Sequence, residues 1–196
     1  LISFLNKKGV GVDLLITAGN FSLASKKANL LKAISSNVFV YKNNKKKFPL
    51  YWKAIRAIEL KIKKDGAVQN ALQDLFAERL FNRATTSAKR VFARLVQENK
   101  YDFVIVNYAW MANIFDLVPS ASKDRLLKIC DTHDCNFIRN KNSISSRLKG
   151  LLYFDKKIEI SKLKGFDYCL AISDADYAAL TPYLGNKAIL CSTGFD

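Results

Sequence analysis

A single histidine stands among acidic residues and cysteines in the stretch KICDTHDCNFIR, residues 128–139. His133 lies between Asp131 and Asp134, just after the apolar run Leu126–Cys130. A histidine in this setting can bind a metal, act as an acid or base, contact a polar substrate, or be an ordinary loop residue. Which of these applies depends on the kind of sheet that the apolar run joins.

Metal and nucleophile chemistry are both weakly indicated. Cys130, His133 and Cys135 are close in sequence, but Cys130 belongs to the apolar run and no second ligand pair follows at a recognised spacing. No GxSxG motif marks a serine nucleophile, and GVG at 9–11 precedes an apolar run instead of following one, which is the wrong context for a dinucleotide loop. The sequence therefore predicts no metal site and no cofactor.

Six short apolar runs alternate with longer segments of helical period, which predicts an α/β fold with a mainly parallel sheet. The predicted strands are 12–17, 38–41, 102–106, 126–130, 167–172 and 188–191. The predicted helices cover 22–34, 50–64, 67–99 with a break, 109–116, 143–164 and 174–184. Several runs are continuous rather than alternating in polarity, as expected of strands covered on both faces. We expect a single Rossmann-like, three-layer domain over residues 1–196.

Polar and aromatic residues follow the predicted strands at the points where those strands end. In open parallel sheets, ligands bind beyond these carboxyl ends. The candidates for such a site are His133, Asn107, Tyr108, Trp110, Thr17–Asn20, Ser173, Thr193 and Gly194. The alternative is that loops are polar in any fold. Ser173, with Asp176 three residues later, also has the spacing of a helix N-cap.

Positive charge is concentrated near the start of the chain. The net charge is +15, and residues 1–64 hold 14 Lys or Arg against two acidic residues. On the helix predicted there, Trp52 and Ile55 begin an apolar stripe, while Lys53 and Arg56 lie mostly on the other side. Such a helix can lie in an anionic membrane surface, or its stripe can pack on the sheet. Nucleic-acid binding is a further option for a cluster this basic.

The cysteines indicate the cellular compartment, and the ends of the chain indicate whether it is a fragment. The four cysteines occur at or just after apolar runs, where free cysteine behaves as a small hydrophobe, so a reducing cytoplasm is favoured. No apolar run approaches the roughly 20 residues of a membrane span, and no signal peptide is recognised. LISFLNKKG resembles the last turns of a helix ended by Gly9, so we expect a fragment with missing neighbours on both sides.

Five stretches together resemble the amino-terminal domain of a GT-B fold glycosyltransferase of the family 4 type. They are KKGVGVDLLIT, YDFVIVNYAW, KICDTHD followed by Arg139, GFDYCLAISDAD and CSTGFD, in an order and spacing that match from residue 8 to 196. DTHD and the junction from strand through AIS to helix are the most specific. The resemblance implies an acceptor-binding domain that faces a second, carboxyl-terminal domain holding the nucleotide-sugar.

The resemblance implies an enzyme that transfers a hexose from a nucleotide-sugar to a glycan or lipid-linked acceptor in polysaccharide biosynthesis. His133 is implied to hydrogen-bond the sugar in the transition state, without a metal, and Asp131 or Asp134 to fix its tautomer. The expected substrate contacts are Asp134, Arg139, Asn107, Trp110, Ser173 and Gly194. A cytoplasmic protein is implied, with docking on the inner membrane face through residues 42–64 as an option.

The chain also departs from the family pattern. The usual first strand and its glycine-rich loop are absent, Val10 stands where relatives often have histidine, and Thr193 stands where they often have asparagine. Because the donor-binding half is missing, the chain alone is not expected to catalyse transfer. Two alternatives stay open: a basic Rossmann-like module that binds nucleic acid or another polyanion, and a different Rossmann enzyme lacking its cofactor loop. Nucleic acid is not the expected partner.

Overall fold

The computed structural model describes residues 2–18, 21–33, 35–42, 81–133, 135, 137–138 and 156–191. The helices are α1 (Ile2–Lys7), α2 (Phe21–Leu31), α3 (Thr86–Glu98), α4 (Ser120–Asp124), α5 (Lys156–Lys164) and α6 (Asp174–Leu184). The strands are β1 (Asp13–Ala18), β2 (Asn37–Lys42), β3 (Phe103–Asn107), β4 (Leu127–Asp131), β5 (Tyr168–Ala171) and β6 (Ala188–Leu190). Two 3₁₀ segments cover Ala109–Leu117 and Gly185–Lys187.

The six predicted strands are confirmed, and every predicted bound lies within one residue of the observed one. All neighbouring strands are parallel. Parallel strands alternating with helices confirm the α/β, Rossmann-like fold class. No helix in the described ranges is both long enough and apolar enough to cross a bilayer.

The helix predictions hold less well than the strand predictions. The segment predicted at 109–116 is a 3₁₀ segment, in which the Met111 amide donates to the carbonyl of Tyr108, three residues back. The short helix α4, which follows Pro119, was not predicted. The predicted helical residues 50–64, 67–80 and 143–155 lie outside the described ranges. Gly9, with φ of 76°, follows α1 as predicted.

The strands fall into two sheets, with orders β1–β2 and β3–β4–β5–β6. Among the described residues, no strand pairs with both β1 and β3. The hydroxyl of Tyr101, just before β3, donates to Asp13 Oδ2 at the start of β1 over 2.7 Å. Burial and this hydrogen bond raise the pKa of the Tyr101 phenol well above its ordinary value, so the hydroxyl stays a donor up to high pH.

One face of the four-stranded sheet forms the centre of the core. Cys130 is the register partner of Cys169, and Cys169 is also the partner of Ala188, so these side chains share a face. The two cysteines are fully buried and Ala188 is nearly so. Leu163 and Leu180, from α5 and α6, belong to the same buried cluster. Burying each such leucine contributes about 1.5–3 kcal/mol.

Thiol reactivity tests this arrangement. All four cysteines are free; Cys130, Cys135 and Cys169 are buried and Cys191 is exposed. Burial raises the pKa of Cys169 to about 12 and that of Cys130 well above its ordinary value. Because the thiolate is the reactive form, we expect one thiol to react quickly with an aromatic disulfide reagent and three to react only on unfolding. Cys191→Ser should abolish the fast phase, whereas fast reaction of two thiols would contradict the buried core.

Candidate functional site

The loops after β3 and β4 meet at one edge of the four-stranded sheet. Asn107, the last residue of β3, is the register partner of Asp131, the last residue of β4. The next amide, that of Tyr108, donates to the Asp131 carbonyl over 2.8 Å. His133 follows two residues later. We refer to the group Asn107, Tyr108, Trp110, Asp131 and His133 as the rim cluster.

Three of these residues form a contiguous aromatic cluster. The ring centroids of Tyr108 and Trp110 are 4.2 Å apart, with the planes 15° from parallel. Those of Tyr108 and His133 are 4.8 Å apart, at 28°. Tyr108 therefore joins the tryptophan and the imidazole across the ends of two strands. Stacked ring pairs at these distances contribute about 0.5–1.5 kcal/mol beyond area burial.

The backbone is strained at the same place. Tyr108 and His133, with φ of 70° and 53°, are the two non-glycine residues of the described ranges that have positive φ. Such conformations cost on the order of 1–3 kcal/mol each and persist only where the surrounding structure imposes them. Both strained residues carry rings that stack on each other. Backbone strain is concentrated at functional sites in proteins generally, which singles out this edge.

Asp131 holds His133 from two sides. Its Oδ1 accepts the main-chain amide of His133 over 3.3 Å, and its Oδ2 lies 3.5 Å from the imidazole Nε2. This arrangement favours the tautomer with a proton on Nε2. Nδ1 has no protein partner in the described ranges and is then an acceptor. The His133 side chain is 43% exposed, so a ligand can reach it.

Two further polar groups at this edge are unused by the described part of the protein. The Asn107 side chain is exposed and the Tyr108 side chain is half-buried. Within the described ranges, neither the side-chain amide of Asn107 nor the hydroxyl of Tyr108 has a hydrogen-bond partner. Together with His133 Nδ1 they offer donors and acceptors to a ligand carrying several hydroxyl groups.

A buried amide fixes the 3₁₀ segment that carries Trp110. Asn113 Oδ1 accepts the Ala84 amide over 3.1 Å, and its Nδ2 donates to the Ala84 carbonyl over 3.0 Å. The Arg83 amide also donates to the Trp110 carbonyl over 2.8 Å. The chain before α3 thus anchors the loop after β3. Sequence reasoning missed Asn113 because nothing local distinguishes it from an exposed polar residue.

Ser173 has a structural role in the observed fold. Its Oγ accepts the Asp176 amide over 3.1 Å, and its hydroxyl donates to Asp176 Oδ2 over 2.7 Å. This reciprocal pair caps α6, as the spacing predicts. Since the single hydroxyl proton is used within the cap, we do not include Ser173 in the rim cluster.

The remaining predicted site residues lie outside the described ranges. They are Asp134, Arg139 and Gly194 of the substrate set, and Trp52, Ile55, Lys53 and Arg56 of the membrane-surface set. Within the described ranges, no group of three or more His, Cys, Asp or Glu could hold a metal ion. Cys130 and Cys135 are both buried in the core, on either side of His133 in the sequence.

A concavity lies elsewhere on the protein, away from the rim cluster. It has a volume of about 380 Å³ and is lined by Asn6, Gly9, Val10, Gly11, Ala33, Ser35 and Ser36. These residues precede β1 and β2, so the concavity sits at the amino ends of those strands. None of its lining side chains is titratable. It offers less chemistry than the rim cluster, which we take as the candidate site.

Comparisons with known proteins do not assign a family. Neither the family models, nor the curated proteins, nor the solved structures contain a match to this chain.

Proposed function

We propose that this domain is the acceptor-side half of a glycosyltransferase that moves a sugar from a nucleotide-sugar donor to a glycan or lipid-linked acceptor. The observation that carries the proposal is the position of His133 just beyond β4, beside the end of β3. Ligands of open parallel sheets bind at this edge. The resemblance of the DTHD stretch to family 4 glycosyltransferases gives the same histidine a role at the donor sugar.

His133 is suited to accept a hydrogen bond from a sugar hydroxyl. With Nε2 directed at Asp131, Nδ1 is the acceptor, at a working distance of about 2.6–3.2 Å from the hydroxyl oxygen. Glycosyl transfer proceeds through a sugar ring with developing positive charge, and hydrogen bonds to ring hydroxyls can strengthen as that charge grows. Such a bond stabilises the transition state more than the bound substrate, which is the condition for a rate effect.

The rest of the rim cluster fits a sugar. Asn107 and the Tyr108 hydroxyl supply further hydrogen-bonding groups, and Trp110 supplies apolar ring surface next to them. Sites for small ligands combine apolar or aromatic surface with a few polar groups that fix the orientation of the ligand. Asp134, Arg139 and Gly194 are proposed as additional contacts on the basis of the sequence alone.

The proposal includes no metal or other cofactor. Charge on the departing phosphate would be stabilised by groups of a carboxyl-terminal, donor-binding domain, the second partner that the proposal requires. A cytoplasmic location at the inner face of the membrane is part of the same proposal. It rests on the basic, amphipathic sequence around Trp52 and Ile55, with Lys53 and Arg56 near lipid headgroups.

The net charge of +15 favours one alternative, a non-enzymatic module that binds a polyanion such as nucleic acid. The two proposals differ in how binding responds to salt. Neutralising several phosphates makes affinity for duplex DNA fall by about 10³-fold or more between 50 and 200 mM salt. A sugar-binding edge predicts little duplex binding at physiological salt.

The direct test is a screen of the complete gene product against a panel of nucleotide-sugars, with release of the nucleotide as the signal. We expect hydrolysis or transfer with at least one donor, and loss of that signal in His133→Ala. A matched Tyr183→Ala variant alters an exposed aromatic side chain on α6 and should keep full activity. Absence of turnover with every donor, together with tight, salt-sensitive duplex binding, would favour the polyanion module instead.

A further inference from the structure

We propose that Asp176 and Glu159 are positioning residues that hold His133 in place through the main chain that follows it. The inference rests on the proposed function only where it treats His133 as a substrate contact. Asp176 belongs to α6 and Glu159 to α5, and neither is part of the rim cluster. Both carboxylates are nearly removed from solvent, with Asp176 9% and Glu159 1% exposed.

Each carboxylate accepts a buried main-chain amide just downstream of His133. Asp176 Oδ1 accepts the amide of Cys135 over 3.0 Å, and Glu159 Oε2 accepts the amide of Phe137 over 3.0 Å. Hydrogen bonds to a carboxylate are shorter and stronger than those to neutral acceptors. A buried amide left without an acceptor costs about 1–3 kcal/mol. Two helices therefore fix two points in the chain after β4.

His133 lies between two anchors. Upstream, the amide and the hydroxyl of Thr132 both donate to the Leu170 carbonyl of β5, over 3.2 and 2.8 Å. Downstream, Cys135 is fixed by Asp176. Two residues separate these anchors in the sequence, so the anchor positions restrict the backbone at His133 to few conformations. The left-handed φ of 53° is one that an L-residue does not favour by itself.

Loss of the downstream anchor should therefore move the imidazole. Relaxation to negative φ relieves strain and takes the ring away from Tyr108. A carboxylate that merely stabilised the core would lower stability and leave the ring where it is. The two roles are thus distinguishable by the contact between the rings of His133 and Tyr108.

The chain offers a clean probe, because His133 is its single histidine. In proton NMR spectra of the 196-residue chain, we expect nuclear Overhauser contacts between the His133 and Tyr108 rings. Asp176→Ala and Glu159→Ala should lose these contacts. Asp176→Asn and Glu159→Gln, which keep an acceptor oxygen, should restore them.

Asp167 provides a matched control. Its Oδ2 accepts the Lys128 amide over 2.7 Å, at the amino end of the same strand β4. Asp167→Ala removes the same kind of bond far from the rim cluster, so we expect lower stability with the ring contacts intact. Equal loss of the contacts in Asp167→Ala would indicate general loosening and overturn the proposal.

Persistence of the ring contacts in folded Asp176→Ala and Glu159→Ala would also overturn it. If the alanine variants do not fold, hydrogen exchange in the wild type tests whether the two carboxylates anchor the chain after His133. The amides of Cys135 and Phe137 should exchange as slowly as core amides, and exchange at the rate of exposed loops would refute the anchors. These measurements need no sugar, so the proposed function can fail in the donor screen without affecting their outcome.

Discussion

His133→Ala in the complete gene product is expected to lower kcat/KM for sugar transfer by roughly 100- to 1,000-fold. Loss of one hydrogen-bonding group aimed at transition-state charge has an effect of this size in other enzymes. We expect the loss to fall on kcat more than on KM, because the proposed bond strengthens as charge develops on the sugar. Steady-state kinetics with the best donor from the screen would measure it.

A second substitution at His133 separates an effect on catalysis from an effect on stability. His133→Gly relieves the positive φ, so its unfolding free energy should stay within about 1 kcal/mol of the wild type although the imidazole is gone. We expect this variant to be as inactive as His133→Ala. Half or more of the wild-type activity in either variant would exclude His133 from the transition state.

Phe166→Ala is expected to destabilise the domain by about 3–5 kcal/mol. Phe166 is 2% exposed, lies just before β5, and packs edge-to-face with Phe115 at a centroid distance of 5.9 Å. Truncation removes apolar contact and leaves a cavity in the buried cluster that contains Phe166. The expected loss is a large part of the total free energy of unfolding, which is about 5–15 kcal/mol for a typical domain. Denaturant unfolding followed by circular dichroism would measure the change.

Leu117→Ala is the matched control, because Leu117 is 45% exposed and lies in the 3₁₀ segment that also contains Phe115. We expect a change within about 0.5 kcal/mol. Similar losses in the two variants would mean that the core is not centred where the structure places it.

The strands could be predicted from the sequence because their signal is local. Runs such as 102–106 and 126–130 are short and mostly apolar, are followed by polar residues and alternate with segments of helical period, which is enough to indicate parallel strands. The position of His133 beyond a strand end follows from the same pattern. The Ser173 cap was equally accessible, because an N-cap serine and the residue whose amide it accepts are three apart in the sequence.

The features that could not be predicted depend on contacts between residues distant in sequence. Asp176 is 41 residues from Cys135, and Glu159 is 22 residues from Phe137. The short sequence windows from which local structure is predicted therefore contain neither pair. The stacking of Tyr108 on His133 likewise requires the register of β3 against β4. The division of six strands into two sheets is also a property of pairing. Each strand's own sequence is compatible with either arrangement.

Backbone strain and the proposed sugar contact coincide at the rim cluster. Tyr108 and His133 hold conformations that cost free energy, and the hydrogen bonds from Tyr108 to Asp131 and from Thr132 to Leu170 offset that cost. A loop free to relax would place the imidazole less accurately. A displacement of about 1 Å can reduce catalysis roughly 100-fold, which gives a physical reason for keeping a strained histidine at this edge.

The central claim is that His133 contacts the transferred sugar. The most direct measurement is a crystal structure of the complete gene product with an intact or slowly hydrolysed nucleotide-sugar bound. We predict a separation of about 2.6–3.2 Å between His133 Nδ1 and a sugar hydroxyl oxygen. A donor sugar bound at another edge of the sheet, with His133 facing only solvent, would contradict the account.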